Sequence, residues 1–366
     1  MLCPTDIHPV DLGYLEKFNA RVYQERIPLL GGIELSYQCN LNCVHCYLDQ
    51  HARKQPNHRQ VPVSKWLDII DQLTDAGCLY LYFTGGETLL HPDFLEIYIH
   101  ARKNGLMVVI FTNATRITEK VLETFDVYPP QHIDISIYGA TRETYEAVTQ
   151  VKGSFAKCMH GIEQLQAHGF AVKLKTILMS LNQHELKDME LFAQNKELSF
   201  RFDAMIFPRF NGDKEPVKYR VPPIEVVKKE FLSDKYAKDW CDAYERMARQ
   251  VSGPDLYQCG AGLTLFHVDP EAQLRPCLMT PHVSFDLSNA RFSDIWNSEI
   301  FLAFRKNKKM PKACQKCDLK VLCGFCPAFF RLETGEEDMI SSYLCEIGWE
   351  RKQAIGHIQN IQGKEA

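Results

Sequence analysis

Residues 39 to 46 read CNLNCVHC and place three cysteines, Cys39, Cys43 and Cys46, within eight positions. Thiolates are metal ligands, and a closed structural zinc site normally has four protein ligands. Three thiols leave one coordination position open, and an open position is where an exogenous ligand binds. Three thiolates can also hold three irons of a four-iron cluster and leave the last iron for another molecule. A zinc site that recruits His45 or His51 is the alternative these residues leave open.

A second array lies near the other end of the chain. Cys259, Cys277, Cys314, Cys317, Cys323, Cys326 and Cys345 all follow residue 258, and Cys314 to Cys326 contain two CxxC pairs. By itself that pattern suits a zinc ribbon as well as iron–sulfur clusters. Cys3, Cys78, Cys158 and Cys241 stand alone and read as small apolar side chains or exposed spares.

Fourteen cysteines in 366 residues would suggest disulfides in a small secreted domain. Here the first thirty residues carry scattered charges and no apolar core, so no signal peptide is read, and metal or catalysis is the better expectation. No run of about 18 apolar residues marks a membrane span. A net charge of -4 argues against general nucleic-acid binding. The chain reads as cytoplasmic, and 45% hydrophobic residues supply a sizeable core.

These thiols need a scaffold. Six strand candidates occur at 33–37, 79–84, 107–112, 132–138, 172–178 and 200–206, with amphipathic stretches between them. One of these, 64–77, has Ser64 as a possible N-cap, and another, 93–105, ends on a glycine. Strand–helix alternation predicts a parallel sheet with right-handed crossovers. Six units fall short of the eight of a closed barrel, so the expected fold is α/β, a partial (β/α)6 TIM-like barrel open on one side. The three cysteines then occupy the loop at the C-terminal end of the first strand, the face where such barrels gather their active sites. The predicted divisions are an N-terminal extension (1–30), the barrel (31–206), a bridging region rich in proline and charge (207–258), a cysteine-rich section (259–350) and a tail (351–366) whose final QNIQGKEA reads as frayed. HVDPEAQLRPC within the fourth section reads as a hairpin.

The cysteine loop resembles the Cys-x3-Cys-x2-Cys signature of radical S-adenosylmethionine (SAM) enzymes, with His45 where that family usually has an aromatic. TGGE, containing Gly85, Gly86 and Glu87, resembles the family's GGE motif, whose backbone and carboxylate meet the SAM amino group. Further matches follow in order: Asn113 ends the third strand, and Ser136 ends the fourth, where similar enzymes point a serine at the SAM ribose. Lys173 and Lys175 share a face of the fifth, and Lys175 is the candidate partner of the SAM carboxylate. The resemblance implies a [4Fe–4S] cluster on Cys39, Cys43 and Cys46 that cleaves SAM reductively to a 5′-deoxyadenosyl radical.

The C-terminal array resembles the SPASM extension of that superfamily, which carries two auxiliary iron–sulfur clusters, commonly [4Fe–4S]. Two departures stand out: Ala272 occupies the glycine position of the pattern, and two residues rather than three separate Cys323 from Cys326. By resemblance, Cys314, Cys317, Cys323 and Cys345 hold the distal cluster, and Cys259, Cys277 and Cys326 the proximal one. Three cysteines leave the proximal cluster with an open iron or a non-cysteine ligand.

SPASM enzymes mostly modify peptides and proteins, and SIYGATRETYEAVTQVKGSF resembles a stretch found in peptide maturases. The expected function is therefore maturation of a peptide by thioether or carbon–carbon crosslinking, or by residue oxidation. Small-molecule oxidation of haem-pathway or carbohydrate type is the alternative, and a zinc-stabilised binding module a distant one. About thirty residues precede the first strand, so the leader-binding domain of many maturases is expected to be absent or supplied by a separate partner. A flavodoxin or ferredoxin is the expected electron donor. Asp203, near the end of the sixth strand, is a candidate base, with a salt bridge to Arg201 or Arg209 as the structural alternative. The basic run 305–312 could dock an acidic peptide or flavodoxin, or simply end a solvated helix.

Overall fold

The computed structural model describes residues 12–54, 61–248, 255–306 and 308–362. Cys3 and the last four residues lie outside them. Nine strands form one sheet: β1 (Leu30–Glu34), β2 (Tyr80–Thr84), β3 (Met107–Thr112), β4 (His132–Ser136), β5 (Val172–Ile177), β6 (Ser199–Asp203), β7 (Leu265–Val268), β8 (Gln273–Arg275) and β9 (Phe285–Asp286). Their order is β6-β5-β4-β3-β2-β1-β7-β8-β9. The first six run parallel, and the sheet does not close, as the strand–helix alternation predicts.

Strand parity decides what this sheet is for. Ile33, Leu81, Phe83, Val108, Ile110, Ile133, Ile135 and Leu174 point to one face and are fully buried. They join one core with Trp66, Ile69, Ile70 and Leu73 of the helix Val63–Asp75 and with Phe94, Ile97 and Tyr98 of the helix Phe94–Lys103. Each such side chain contributes roughly 1.5–3 kcal/mol. The opposite parity is largely polar: Glu34 lies beside Thr84, Phe111 beside Asp134, Ser136 beside Lys175, and Lys175 beside Arg201. In a closed barrel an apolar set would fill that side. Here it lines a working lumen.

Several boundaries differ from those expected. β1 starts three residues early and ends at Glu34 rather than 37, with Gly31 and Gly32 inside it. A Cβ on Gly31 would fall 1.9 Å from Phe266, and one on Gly32 2.3 Å from Tyr82. Both glycines therefore make room for neighbouring aromatic rings. Ser64 is not a cap. The helix begins at Val63 with Pro62 in the N-cap position and no side-chain cap bond, which places Ser64 in the first turn.

The C-terminal section is continuous with the barrel sheet. β7 pairs parallel with β1, and the expected hairpin is formed by β7 and β8. Ala272 sits in its turn at φ 56°, in the left-handed region, so the glycine position keeps its glycine-like backbone with an alanine in place. Asp269 stabilises the turn by accepting from the backbone N–H groups of Glu271 and Gln273 at 2.9 and 3.0 Å. At the other edge of the chain, Arg26 donates to the Trp296 carbonyl at 2.9 Å, and the Trp296 indole returns a bond to Arg26 at 2.7 Å. The bridging helices Pro223–Phe231 and Asp234–Ala248 lean on the last helix, Ser342–Gln362, where Arg351 pairs with Glu230 and stacks over Trp240. Residues 359–362 are thus helical rather than frayed.

Candidate active site

One cavity of about 520 Å³ opens at the C-terminal ends of the strands. Its lining includes Cys39, Cys43 and Cys46 together with Gly85, Gly86, Glu87, Asn113, Ser136, Lys175 and Asp203. Every barrel residue singled out from the sequence as a site residue therefore faces one space.

The thiol loop is held by backbone bonds at both ends. Cys39 N–H donates to the Arg53 carbonyl at 3.1 Å, and Asn42 and Val44 donate to Thr149 and Val148. Cys46 N–H closes back onto the Cys43 carbonyl at 3.2 Å. All three thiols are free of disulfides. Burial pushes Cys39 up to about 12 and raises Cys43 and Cys46 as well, while the charge of Arg53 pulls all three back. Thiols this buried become thiolates when a metal supplies the positive charge. Arg53 is itself buried, and its Nε and Nη2 have no hydrogen-bond partner. An anionic thiolate cluster fits both observations. Among the described residues, no group of three or more His, Cys, Asp or Glu side chains is arranged to hold a single metal ion. A cluster makes a different demand, because its thiolates bind separate irons.

The GGE segment is zipped to the thiol loop. Gly86 N–H donates to the Ser36 carbonyl at 2.9 Å and Glu87 N–H to the Gln38 carbonyl at 2.8 Å. A Cβ on Gly86 would lie 2.1 Å from the Gln38 oxygen, so the close approach that requires glycine is first of all between two loops of the chain. Glu87 is buried. Its Oε1 accepts from the Thr112 hydroxyl at 2.7 Å and Leu89 N–H at 3.1 Å, and its Oε2 accepts from Asn113 N–H at 2.7 Å. A carboxylate has about four acceptor sites, so one remains for an ammonium. Burial nevertheless raises the Glu87 pKa against those three donors.

Across the lumen, burial lowers Lys175 to about 8 in spite of Asp134, whose Oδ2 lies 3.9 Å from Nζ. The ammonium sits 3.4 Å above the Phe111 ring. Asp134 is engaged by Arg201 at 2.7 Å, and Arg209 pairs with Asp213. Neither arginine pairs with Asp203, so the salt bridges offered as its structural role do not form. Asp203 is exposed, lies at the end of β6, and accepts from Met205 N–H at 2.7 Å.

The remaining cysteines fall into two sets by mutual influence. Cys323 is pushed up to about 12 by burial and by Cys345, Cys317 and Cys314. Cys326 is pushed to about 12 by burial, with Cys277 and Cys259 adding to it. Cys323 thus lies near Cys345, Cys317 and Cys314, and Cys326 near Cys277 and Cys259. Gly348 brings the last helix against Cys323, where a Cβ would lie 2.8 Å from the cysteine Cβ, and this close approach carries Cys345 in. Cys78 and Cys158 are buried and Cys241 half-buried.

The basic run is largely used within the fold. Arg305 donates to the carbonyls of Cys259 and Ala261 at 2.8 and 2.6 Å, and Lys308 binds Glu337 at 2.5 Å. Lys309 meets Asp255 and Lys306 meets Glu299. Three of the five positive charges therefore have acidic partners, two of them in exposed pairs. Sequence reasoning missed Arg53, Tyr82, Tyr138, Leu278 and Met279, which also line the cavity. Leu278 and Met279 had one signal, their place directly after Cys277.

No described helix is long and apolar enough to cross a membrane. Residues 33–193 match the radical SAM superfamily model, and residues 259–318 match the SPASM iron–sulfur cluster-binding domain model. Among curated proteins, the chain is 26% identical to the AdoMet-dependent heme synthase of Methanosarcina barkeri, over 84% of this chain and 94% of that protein. It is 29% identical to the mycofactocin maturase MftC of Mycobacterium tuberculosis, over 78% of this chain and 74% of that protein. Among solved structures, Streptococcus suis SuiB bound to precursor peptide SuiA superposes with a TM-score of 0.71 at 16% identity, covering 94% of this chain and 84% of that one. With the thiol loop, the GGE segment and the open barrel in one place, the chain belongs to the radical SAM enzymes and carries a SPASM domain.

Proposed function

We propose that the chain is a peptide maturase that removes hydrogen from a residue of a peptide substrate, leaving a thioether or carbon–carbon crosslink or an oxidised residue. The observation that carries this reading is the position of Leu278 and Met279, which wall the cavity directly after Cys277. A substrate residue in the cavity then lies between the SAM site and an auxiliary centre. MftC is by name a mycofactocin maturase, and a relative from Gluconobacter oxydans is by name a PqqA peptide cyclase.

Cys39, Cys43 and Cys46 would hold the radical [4Fe–4S] cluster, with SAM as its remaining ligand. When bound and reduced, that cluster supplies the electron for SAM cleavage, which yields the hydrogen-abstracting radical. The chain's own residues bind and orient. Gly85, Gly86 and the open acceptor site of Glu87 would take the SAM amino group, Lys175 its carboxylate, and Ser136 and Asn113 the nucleoside side. Asp203 at the cavity rim would accept the substrate proton. The second electron would pass to auxiliary clusters, a distal [4Fe–4S] on Cys314, Cys317, Cys323 and Cys345 and a proximal one on Cys259, Cys277 and Cys326. In sum the substrate loses one hydrogen atom, one proton and one electron. A flavodoxin or ferredoxin would donate the first electron, and a separate protein would present the leader.

A second reading is favoured by the heme synthase relative, almost all of whose length aligns. Anaerobic incubation with SAM, reductant and either a short peptide encoded beside the gene or a tetrapyrrole separates the two. Stoichiometric 5′-deoxyadenosine with a peptide lighter by two hydrogens supports maturation; the same turnover on the tetrapyrrole alone overturns it.

A further inference from the structure

Arg53 occupies the short helix Gln50–Lys54, is only 3% exposed and lines the cavity. Its Nη1 donates to the Cys43 carbonyl at 3.3 Å, while Nε and Nη2 have no hydrogen-bond partner. The contrast with Arg209 is instructive, because that buried guanidinium has Asp213 as its counter-charge. Arg53 has one neutral carbonyl. A buried cation left without an anion is costly, and a guanidinium does not escape the cost by losing its proton. The guanidinium is bonded to the backbone of the cysteine loop itself, and its positive charge favours the thiolate form of Cys39, Cys43 and Cys46.

We propose that Arg53 is the counter-cation of the cluster carried by Cys39, Cys43 and Cys46, holding its reduction potential up as a positioning residue that acts through the cluster. The proposal rests on the assignment of those three cysteines to the radical cluster. Its physical basis is simple: reduction adds one negative charge, and a fixed cation in a low-dielectric pocket favours the more negative state. Nη1 also fixes the guanidinium against the loop backbone, so its distance to the thiolates is set by the fold.

The test uses the anaerobically reconstituted full chain and compares wild type with Arg53→Met and Arg53→Lys. The readouts are iron and sulfide content and the midpoint potential of the radical cluster, followed by electron paramagnetic resonance. A chain with Cys39, Cys43 and Cys46 all changed to Ala identifies that cluster's signal by its loss. If wild type and this control give the same iron content and spectra, the cysteine assignment itself fails, and that outcome is distinct from failure of the Arg53 proposal. With the assignment intact, Arg53→Met should keep its iron but lower the reduced-to-oxidised ratio at fixed poise by about tenfold, a shift of about 59 mV for one electron. Arg53→Lys should retain most of the wild-type potential. An unchanged potential in Arg53→Met, or an equal shift in both variants, overturns the proposal. Should Arg53→Met fail to assemble the cluster, assembly in Arg53→Lys supports the need for charge, and failure in both assigns Arg53 a role in shape alone.

Discussion

Glu34 and His267 face each other across the β1–β7 junction, with Oε2 and Nε2 3.1 Å apart and both side chains completely buried. The contact is close without being aligned as a straight hydrogen bond. Tyr47, the residue after the last loop cysteine, donates to Glu34 Oε1 at 2.6 Å. Burial alone would raise the Glu34 pKa, but His267 and Tyr47 hold it below the ordinary value. A polar chain thus ties the thiol loop, the first barrel strand and the first strand of the C-terminal section together.

Breaking that pair should cost more than losing a surface bridge. His267→Leu leaves the Glu34 carboxylate buried without its partner, a loss of about 3–5 kcal/mol. The double variant Glu34→Gln, His267→Leu should recover a good part of it. Chemical denaturation of the three variants against wild type checks this; equal losses in the single and double variants would mean that the two residues do not act as a pair.

The junction also shows what the sequence could and could not reveal. The thiol loop and GGE were legible because each motif packs its chemistry into adjacent positions. The outer strand residues were legible because burial against helices demands period-two apolar runs. Gly31 and Gly32 read as punctuation, since the rings that require them, Phe266 and Tyr82, are remote in sequence. For the same reason nothing marked β7 as a neighbour of β1. At Ala272 the sequence requires a turn that works without a glycine, and Asp269 and tight burial hold that left-handed turn.

Replacing Cys39, Cys43 and Cys46 by Ala should abolish 5′-deoxyadenosine formation while the iron bound by the other seven cysteines stays. The loop and the C-terminal sets draw on separate parts of the chain and influence one another's thiols only within each set as described above. Iron analysis and chromatography of the SAM products provide the check, and persistent 5′-deoxyadenosine would sink the assignment.

Lys175 gives SAM binding a pH signature. Burial holds its pKa near 8, so the ammonium is present below pH 8 and lost above it. If it meets the SAM carboxylate, the dissociation constant for SAM should rise about tenfold per pH unit above that point. Lys175→Arg should flatten the alkaline limb, and Lys175→Met should weaken binding throughout. A flat profile for wild type between pH 7 and 9.5, measured by equilibrium dialysis, would remove Lys175 from the SAM site.

Asp203→Asn tests the base. Its carboxylate stands at the cavity rim with no arginine partner, and the substitution keeps the side chain's size and an oxygen for the Met205 N–H. SAM cleavage should continue uncoupled, with product formation lowered by about 10²-fold or more. Normal coupling of 5′-deoxyadenosine to product would show that the proton leaves by another route.

The last prediction concerns ligand number at the proximal set. Ten cysteines fall in the loop and the C-terminal arrays; if three serve the loop cluster and four a distal one, Cys259, Cys277 and Cys326 remain for a proximal cluster. Cys259 is exposed, whereas Cys277 and Cys326 are half-buried, so a cluster on these three thiols would sit near the surface at Cys259. A four-iron cluster on three thiolates keeps one iron for water, a non-cysteine ligand or a substrate thiolate. Cys277 adjoins the cavity wall at Leu278 and Met279, so an open iron on the proximal set would lie within reach of a cysteine of a bound peptide. Adding a cysteine-containing substrate should therefore change the spectrum of the proximal cluster, and its serine analogue should not. The same response to both peptides, or four chain-derived thiolates on that cluster, would refute the open iron.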